Sequence, residues 1–156
     1  MKINLPDEIV SLFGAPDTVK VLSTTDNRGV PHSVVKNSLR ADDDGNLAYL
    51  EMIESSDTNS NMTGSLWFDR QVSILLIGAN GASWQIKGSP ERCLVAGPVF
   101  EAHYREIREK QGDVDLAAVW VITPEEVRDE SFDARFAEES AAHPMFLHLD
   151  RIAKTD

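Results

Sequence analysis

Three clusters of turn residues, Asp26-Asn27-Arg28-Gly29, Asp42-Asp43-Asp44-Gly45-Asn46 and Ala79-Asn80-Gly81-Ala82, separate short runs rich in apolar and β-branched residues. Glycine gives such turns a positive φ at little cost, and Asn-Gly is a strong hairpin signal. The spacing predicts antiparallel strands over 19–25, 30–40 and 47–53, arranged as a meander. A strongly apolar strand over 71–78, buried on both faces, follows. Strands over 83–88 and 92–96 come next, with Gly88-Ser89-Pro90 marking a bend or bulge. A late strand covers 116–122.

Helical signals are fewer and mostly late. A short helix is expected over 6–13 with Gly14 as its cap, and another emerges near Met62. Residues 98–111 carry an inner stripe of Phe100, His103, Tyr104 and Ile107, with Glu101–Arg105 and Glu106–Lys110 at i,i+4 and Gly112 at the end. Thr123-Pro124-Glu125-Glu126 reads as a capping box opening a helix, and 132–142 as a terminal helix. Strands in hairpin order, without regular alternation with helices, exclude a doubly wound parallel sheet. The pattern fits a mainly β (α+β) antiparallel barrel of six to seven strands, closed or partly open, with peripheral helices. A single domain over 1–156 is expected, with a core at about 19–122, the helix 6–13 before it and a helical extension over 124–156 after it.

The chain of 156 residues carries a formal net charge of -11 and a sequence pI of about 4.7. That field repels nucleic acid and anionic membrane, so neither is expected as a partner. A phosphate-bearing ligand needs a local exception to it. The single cysteine, Cys93, allows no intramolecular disulfide and no Cys-rich zinc site, which suits a reducing, cytoplasmic setting. The acidic start has no apolar signal-peptide core.

Nucleotide and hydrolase signatures are missing: no G-x-S-x-G elbow, H-E-x-x-H pair, Walker A loop or G-x-G-x-x-G turn is present. The Asp42–Asp44 run reads as a solvated turn, because an EF-hand would need further ligands at fixed offsets. His143, His148 and Asp150 have no standard metal spacing, and no metal site is expected. His103 reads as a hydrogen-bonded core residue and Cys93 as a buried, inert thiol. The more informative stretch is Ser55-Ser56-Asp57-Thr58-Asn59-Ser60-Asn61. Hydroxyls and amides cluster there where a strand gives way to a helix, and free N–H groups at a helix start favour an anion. The plainer reading is a polar loop with a helix cap. Trp84-Gln85-Ile86-Lys87-Gly88 places a flat hydrophobe beside an amide, a pairing suited to a planar heteroaromatic ring.

Four stretches stand out together: the hairpin from Val21 to Val35, Gly45-Asn46-Leu47-Ala48-Tyr49-Leu50, Asp69-Arg70-Gln71-Val72-Ser73-Ile74, and Gln85-Ile86-Lys87-Gly88. In their order and spacing they resemble the pyridoxamine 5'-phosphate oxidase-like FMN-binding split β-barrels. The resemblance implies FMN in a cleft between the subunits of a homodimer. It implies that Val35, Lys36 and Asn37 run beside the flavin, that the polar stretch with Ser55, Thr58, Asn59, Ser60 and Asn61 holds the phosphate, and that Gln85 bonds the ring with Trp84 packed near it. Relatives usually carry Lys or Arg at that helix start. Here Ser60-Asn61-Met62-Thr63 carries no cation, so the phosphate would depend on neutral donors and on Lys36, Arg40, Lys87 or a residue of the partner chain. The implied activity is FMN-dependent oxidoreduction between a nicotinamide-type donor and a small acceptor, with no catalytic residue evident. A pyridoxal phosphate signature is absent, which disfavours a vitamin-B6 oxidase. The alternatives are a non-enzymatic flavin-storage or sensing module and a haem-handling barrel, with His32, His103, His143 and His148 as the available axial ligands.

Overall fold

A computed structural model describes residues 1–145. The elements run α1 (Asp7–Gly14), β1 (Val19–Thr25), β2 (Pro31–Val35), β3 (Arg40–Ala41), β4 (Leu47–Glu51), α2 (Asp57–Trp67), β5 (Val72–Ile77), β6 (Ser83–Leu94), α3 (Pro98–Gln111), β7 (Ala118–Asp129) and α4 (Phe132–Ala142). All seven strands join one antiparallel sheet in the order β2-β1-β5-β6-β7-β4-β3.

The two edge strands, β2 and β3, are neighbours in the chain, joined only by residues 36–39. Four residues cannot span an open seven-stranded sheet, so the sheet curls until its edges meet without pairing. This is a split barrel. The register builds its inside: Val34, Leu22, Ile74, Ile86 and Val127 lie in one row across five strands. Tyr49 and Trp120, paired on β4 and β7, fill the same core, and Ile9 and Phe13 of α1 pack into it. A second apolar cluster forms on the other face of β4, where Leu50 and Val119 meet Ile107 of α3.

Several expectations change. The first three strands are not a meander: β1 and β2 pair at one edge, while β3 and β4 lie at the other. The run 30–40 is broken because Lys36–Leu39 makes a turn, closed by Leu39 N–H donating to Lys36 O and anchored by the fully buried Leu39. Strand β5 is buried on one face only, since Ser73, Leu75 and Ile77 look outward. Gly14 is the last residue of α1, and Ala15 caps it.

Thr123-Pro124-Glu125-Glu126 does not start a helix; it continues β7. Pro124 lies opposite Gly88 where the β6–β7 register slips, and its carbonyl accepts from Ile3 N–H. Proline lacks a ladder donor, and a bulge is where a sheet tolerates it. The bulge at Gly88–Pro90, the Asn80-Gly81 hairpin, and the bounds of α3 and α4 match the sequence reading. The helical extension therefore begins at Phe132 rather than at 124, and residues 146–156 of the expected extension, with His148 and Asp150, lie outside the described residues. No helix among the described residues is long and apolar enough to cross a membrane.

Candidate functional site

The turn between the edge strands builds the principal cleft. Leu39 plugs the core, and Lys36 N–H is bonded to Lys20 O, so the backbone of 36–38 is held at the barrel rim. Across from it, Glu51 ends β4 on the same face as Tyr49 and is only 1% exposed. A buried carboxylate needs a charged partner and full hydrogen bonding. Lys36 supplies the charge at 3.1 Å, Ile53 N–H donates to it at 3.1 Å, and the Tyr49 hydroxyl approaches it at 3.4 Å. Burial pushes the Tyr49 phenol upward, and the Glu51 carboxylate adds to that, so it stays a neutral donor.

The third wall is α3. Ile107 is drawn into the second apolar cluster, which turns Glu106, Lys110 and Gln111 toward the cleft. Glu106 accepts from Arg40 at 3.1 Å and from Lys110 at 2.8 Å, with His103 Nδ1 at 3.5 Å. The Lys110 hydrogen bond, joined by Arg40, holds the Glu106 carboxyl down at about 2. The resulting cleft is about 420 Å³, with Val35, Leu50, Met52, Ile53 and Ile107 as its apolar wall and Lys36, Arg40 and Lys110 as its cations. That volume lies within the usual range for small-molecule sites, about 300–1,000 Å³.

Of the residues predicted from sequence, Val35, Lys36 and Asn37 line this cleft. The stretch 55–61 does not, and most of its donors are engaged elsewhere. Ser56 caps α2 by accepting from Asn59 N–H. Thr58 is buried against His32 Nε2 at 3.2 Å. Asn59 Oδ1 accepts from the Trp120 indole at 2.8 Å, while its amide donates to Glu54 O. Asn61 donates to Thr24 Oγ1 at 3.1 Å. Ser55 and Ser60 are exposed, and Ser60 borders a different groove beside Trp67 and Phe68. On β6, Trp84 packs against the core, whereas Gln85 and Lys87 alternate onto the outer face, so Trp84 and Gln85 do not share a surface. Lys87 pairs with Glu126 at 3.5 Å.

Sequence reasoning missed Glu51, Glu106 and Lys110 as site residues. Glu51 left a signal: a carboxylate in phase with Leu47 and Tyr49 on an inward face demands a cation. Neither His32 nor His103 lines the cleft, and the Cys93 thiol, raised by burial, is not in it either. The Asp42 carboxylate is spent on Asp44 and Asn46 N–H groups in its turn, and among the described residues no His/Cys/Asp/Glu group is placed to hold a metal.

No family model matches the chain, and no curated protein matches it in sequence. Solved structures do match it in shape. An FMN-binding protein from Syntrophomonas wolfei superposes with a TM-score of 0.66 at 15% identity, covering 81% of this chain and 86% of that one. A candidate pyridoxamine 5'-phosphate oxidase from Lactobacillus delbrueckii gives 0.62 at 21%, covering 82% and 99%. The chain has the fold of the pyridoxamine 5'-phosphate oxidase-like split barrels. HutZ, the haem storage protein of Vibrio cholerae, shows the same split barrel at a TM-score of 0.58 and 14% identity, covering 81% and 95%. The fold thus serves more than one ligand, and the choice among them rests on the cleft.

An FMN-type ligand fits one part of the predicted split-barrel site and not another. The apolar wall from Val35 to Ile107 suits a flat ring system, and the cleft sets three cations, Lys36, Arg40 and Lys110, against two carboxylates, Glu51 and Glu106, a local positive excess in an acidic chain. The start of α2 is unsuited to a phosphate: Thr58, Asn59 and Asn61 have inward partners, and Glu54 and Asp57 flank it.

Proposed function

We propose that this protein binds FMN in the cleft between the β2–β3 turn, the end of β4 and α3, and uses it for oxidoreduction. The observation that carries the reading is the pairing of an apolar wall with Lys36, Arg40 and Lys110 in a single cleft of a split barrel. Bound there, FMN supplies hydride and single-electron chemistry from a nicotinamide-type donor to a small acceptor. Val35, Leu50, Met52 and Ile107 contribute the flat apolar contact and exclude water from one ring face. Lys36 is held in place by Glu51, so it presents a fixed positive charge with little ordering left to undergo on binding.

A homodimer completes this proposal. Val35 lines the cleft and is 52% exposed, and it is also one end of an outward row running Val35, Val21, Leu75 and Gln85 across four strands. A second subunit on that face would roof the cleft and bring Gln85 of the outer face toward a bound ring.

The purified protein should be yellow, and the colourless apoprotein should quench flavin fluorescence on titration with FMN. A colourless preparation whose melting temperature ignores added FMN would end the reading. Steady-state NAD(P)H oxidation with a panel of acceptors then separates an oxidoreductase from a flavin-holding module, which should show only background turnover.

A further inference from the structure

Behind the β2–β3 turn lies a second cavity of about 250 Å³, which shares Asn37, Ser38, Arg40, Glu106 and Lys110 with the main cleft. Its remaining wall includes Lys20, on the inner face of β1. We propose that this cavity seats a phosphate monoester between Lys20, Arg40 and Lys110, with Glu106 as a built-in anion that the phosphate displaces.

The charges argue for it. Three cations face one carboxylate here, leaving two positive charges unmatched in a chain whose net charge is -11. A phosphate monoester carries about -1.5 to -2 at neutral pH, which matches that excess. Lys20 donates to Leu39 O at 2.8 Å and to Phe13 O at 3.4 Å, and takes no carboxylate partner among the described residues. Burial, and then the charge of Arg40, lower its pKa, so an anion between the two would relieve both.

Geometry points the same way. Glu106 already binds Arg40 and Lys110 through its two oxygens, the arrangement two phosphate oxygens would reproduce. Glu106 is on a helix surface and about one-third exposed, so its side chain can turn outward without disturbing the core. The chemistry of the seat stands on these charges alone. That the phosphate is the tail of a flavin, lying in the main cleft, rests on the function proposed above; a separate phosphorylated substrate is the other source.

The test uses the intact protein, inorganic phosphate, FMN and riboflavin. Phosphate should protect against thermal unfolding more than chloride of equal ionic strength, and FMN should bind about tenfold or more tighter than riboflavin. Lys110→Met, at a residue 69% exposed and so safe for folding, should remove most of both effects, and Lys20→Met should do the same. Glu106→Gln should strengthen phosphate binding. If FMN binds but its advantage over riboflavin survives both lysine variants, the seat is wrong and the flavin reading stands. If no flavin binds while phosphate protection still depends on Lys20 and Lys110, the seat stands and serves a phosphorylated substrate. Phosphate protection equal to that of chloride, with no preference for FMN over riboflavin, overturns the seat outright.

Discussion

Glu106 bridges Arg40 and Lys110, and its carboxyl, ordinarily near 4.5, sits at about 2. A depressed folded pKa adds stability above the unfolded value, and that contribution drains away as pH falls from about 4.5 to about 2. Glu106 is partly exposed, so solvent screening keeps the effect modest. The urea midpoint of Glu106→Gln should therefore trail wild type near neutrality and converge with it at about pH 2. A gap unchanged across that span would place the stabilisation elsewhere. Asn59 makes the opposite point about inference from side-chain type. Its sequence position suggests a phosphate donor, yet its amide oxygen satisfies the buried Trp120 indole. Asn59→Ala should cost about 1–3 kcal/mol in denaturant unfolding, the price of an orphaned buried donor. Unchanged stability with lost flavin binding would restore it to the site. Residue type alone could not distinguish these roles, because hydroxyls and amides serve ligand and core equally well.

Elements were legible where local chemistry decides them. The run Pro98–Gln111 has a proline at its start, a glycine beyond its end and an apolar stripe between, and α3 has those bounds. Capping-box chemistry misleads at Thr123 because a local signal competes with the ladder supplied by β6. That strand is twelve residues long and pairs with β7 from Trp84–Asp129 to Leu94–Val119. Hydrogen bonding along such a partner outweighs a helix start, and the bulge removes the one objection that Pro124 raises. Gly88 is the small residue this crossing requires: a Cβ there would meet the Thr123 carbonyl oxygen and lie 3.0 Å from Ile122 Cγ2. Gly88→Ala should destabilise the protein by about 1–3 kcal/mol, as overpacking does. A melting temperature equal to wild type would show that β7 yields there.

The whole molecule is a sheet whose first-paired and last-paired strands are brought together by four residues, and this is what sequence could not show. Turn signals reveal where strands end; they carry no information about which distant strand each will join, so 47–53 looked like the partner of all of 30–40, when β4 pairs with Arg40–Ala41 on one side and with β7 on the other. The same long-range order decides the outer face. Val19, Val21, Val35, Leu75 and Ile77 come together there only through the β2-β1-β5 pairing, with Ser23, Ser33 and Ser73 beside them. Val19, Val35 and Ile77 are 43%, 52% and 39% exposed on the single chain. Contiguous apolar surface of this kind is what a protein interface would cover, which extends the homodimer proposed above. Small serines allow a second sheet to approach closely, and the near-absence of charge among these residues removes the repulsion that a net charge of -11 imposes elsewhere. A dimer through this face should therefore sediment as two chains. Val35→Glu or Leu75→Glu, each placing a carboxylate in that row, should yield a folded monomer with an unchanged far-ultraviolet circular dichroism spectrum. Because Val35 also walls the cleft, Leu75→Glu is the cleaner probe: it lies outside the cleft lining of its own chain, so weaker FMN binding in a variant that sediments as one chain reports loss of the partner. A wild-type protein that sediments as one chain while still holding FMN would mean the cleft needs no roof.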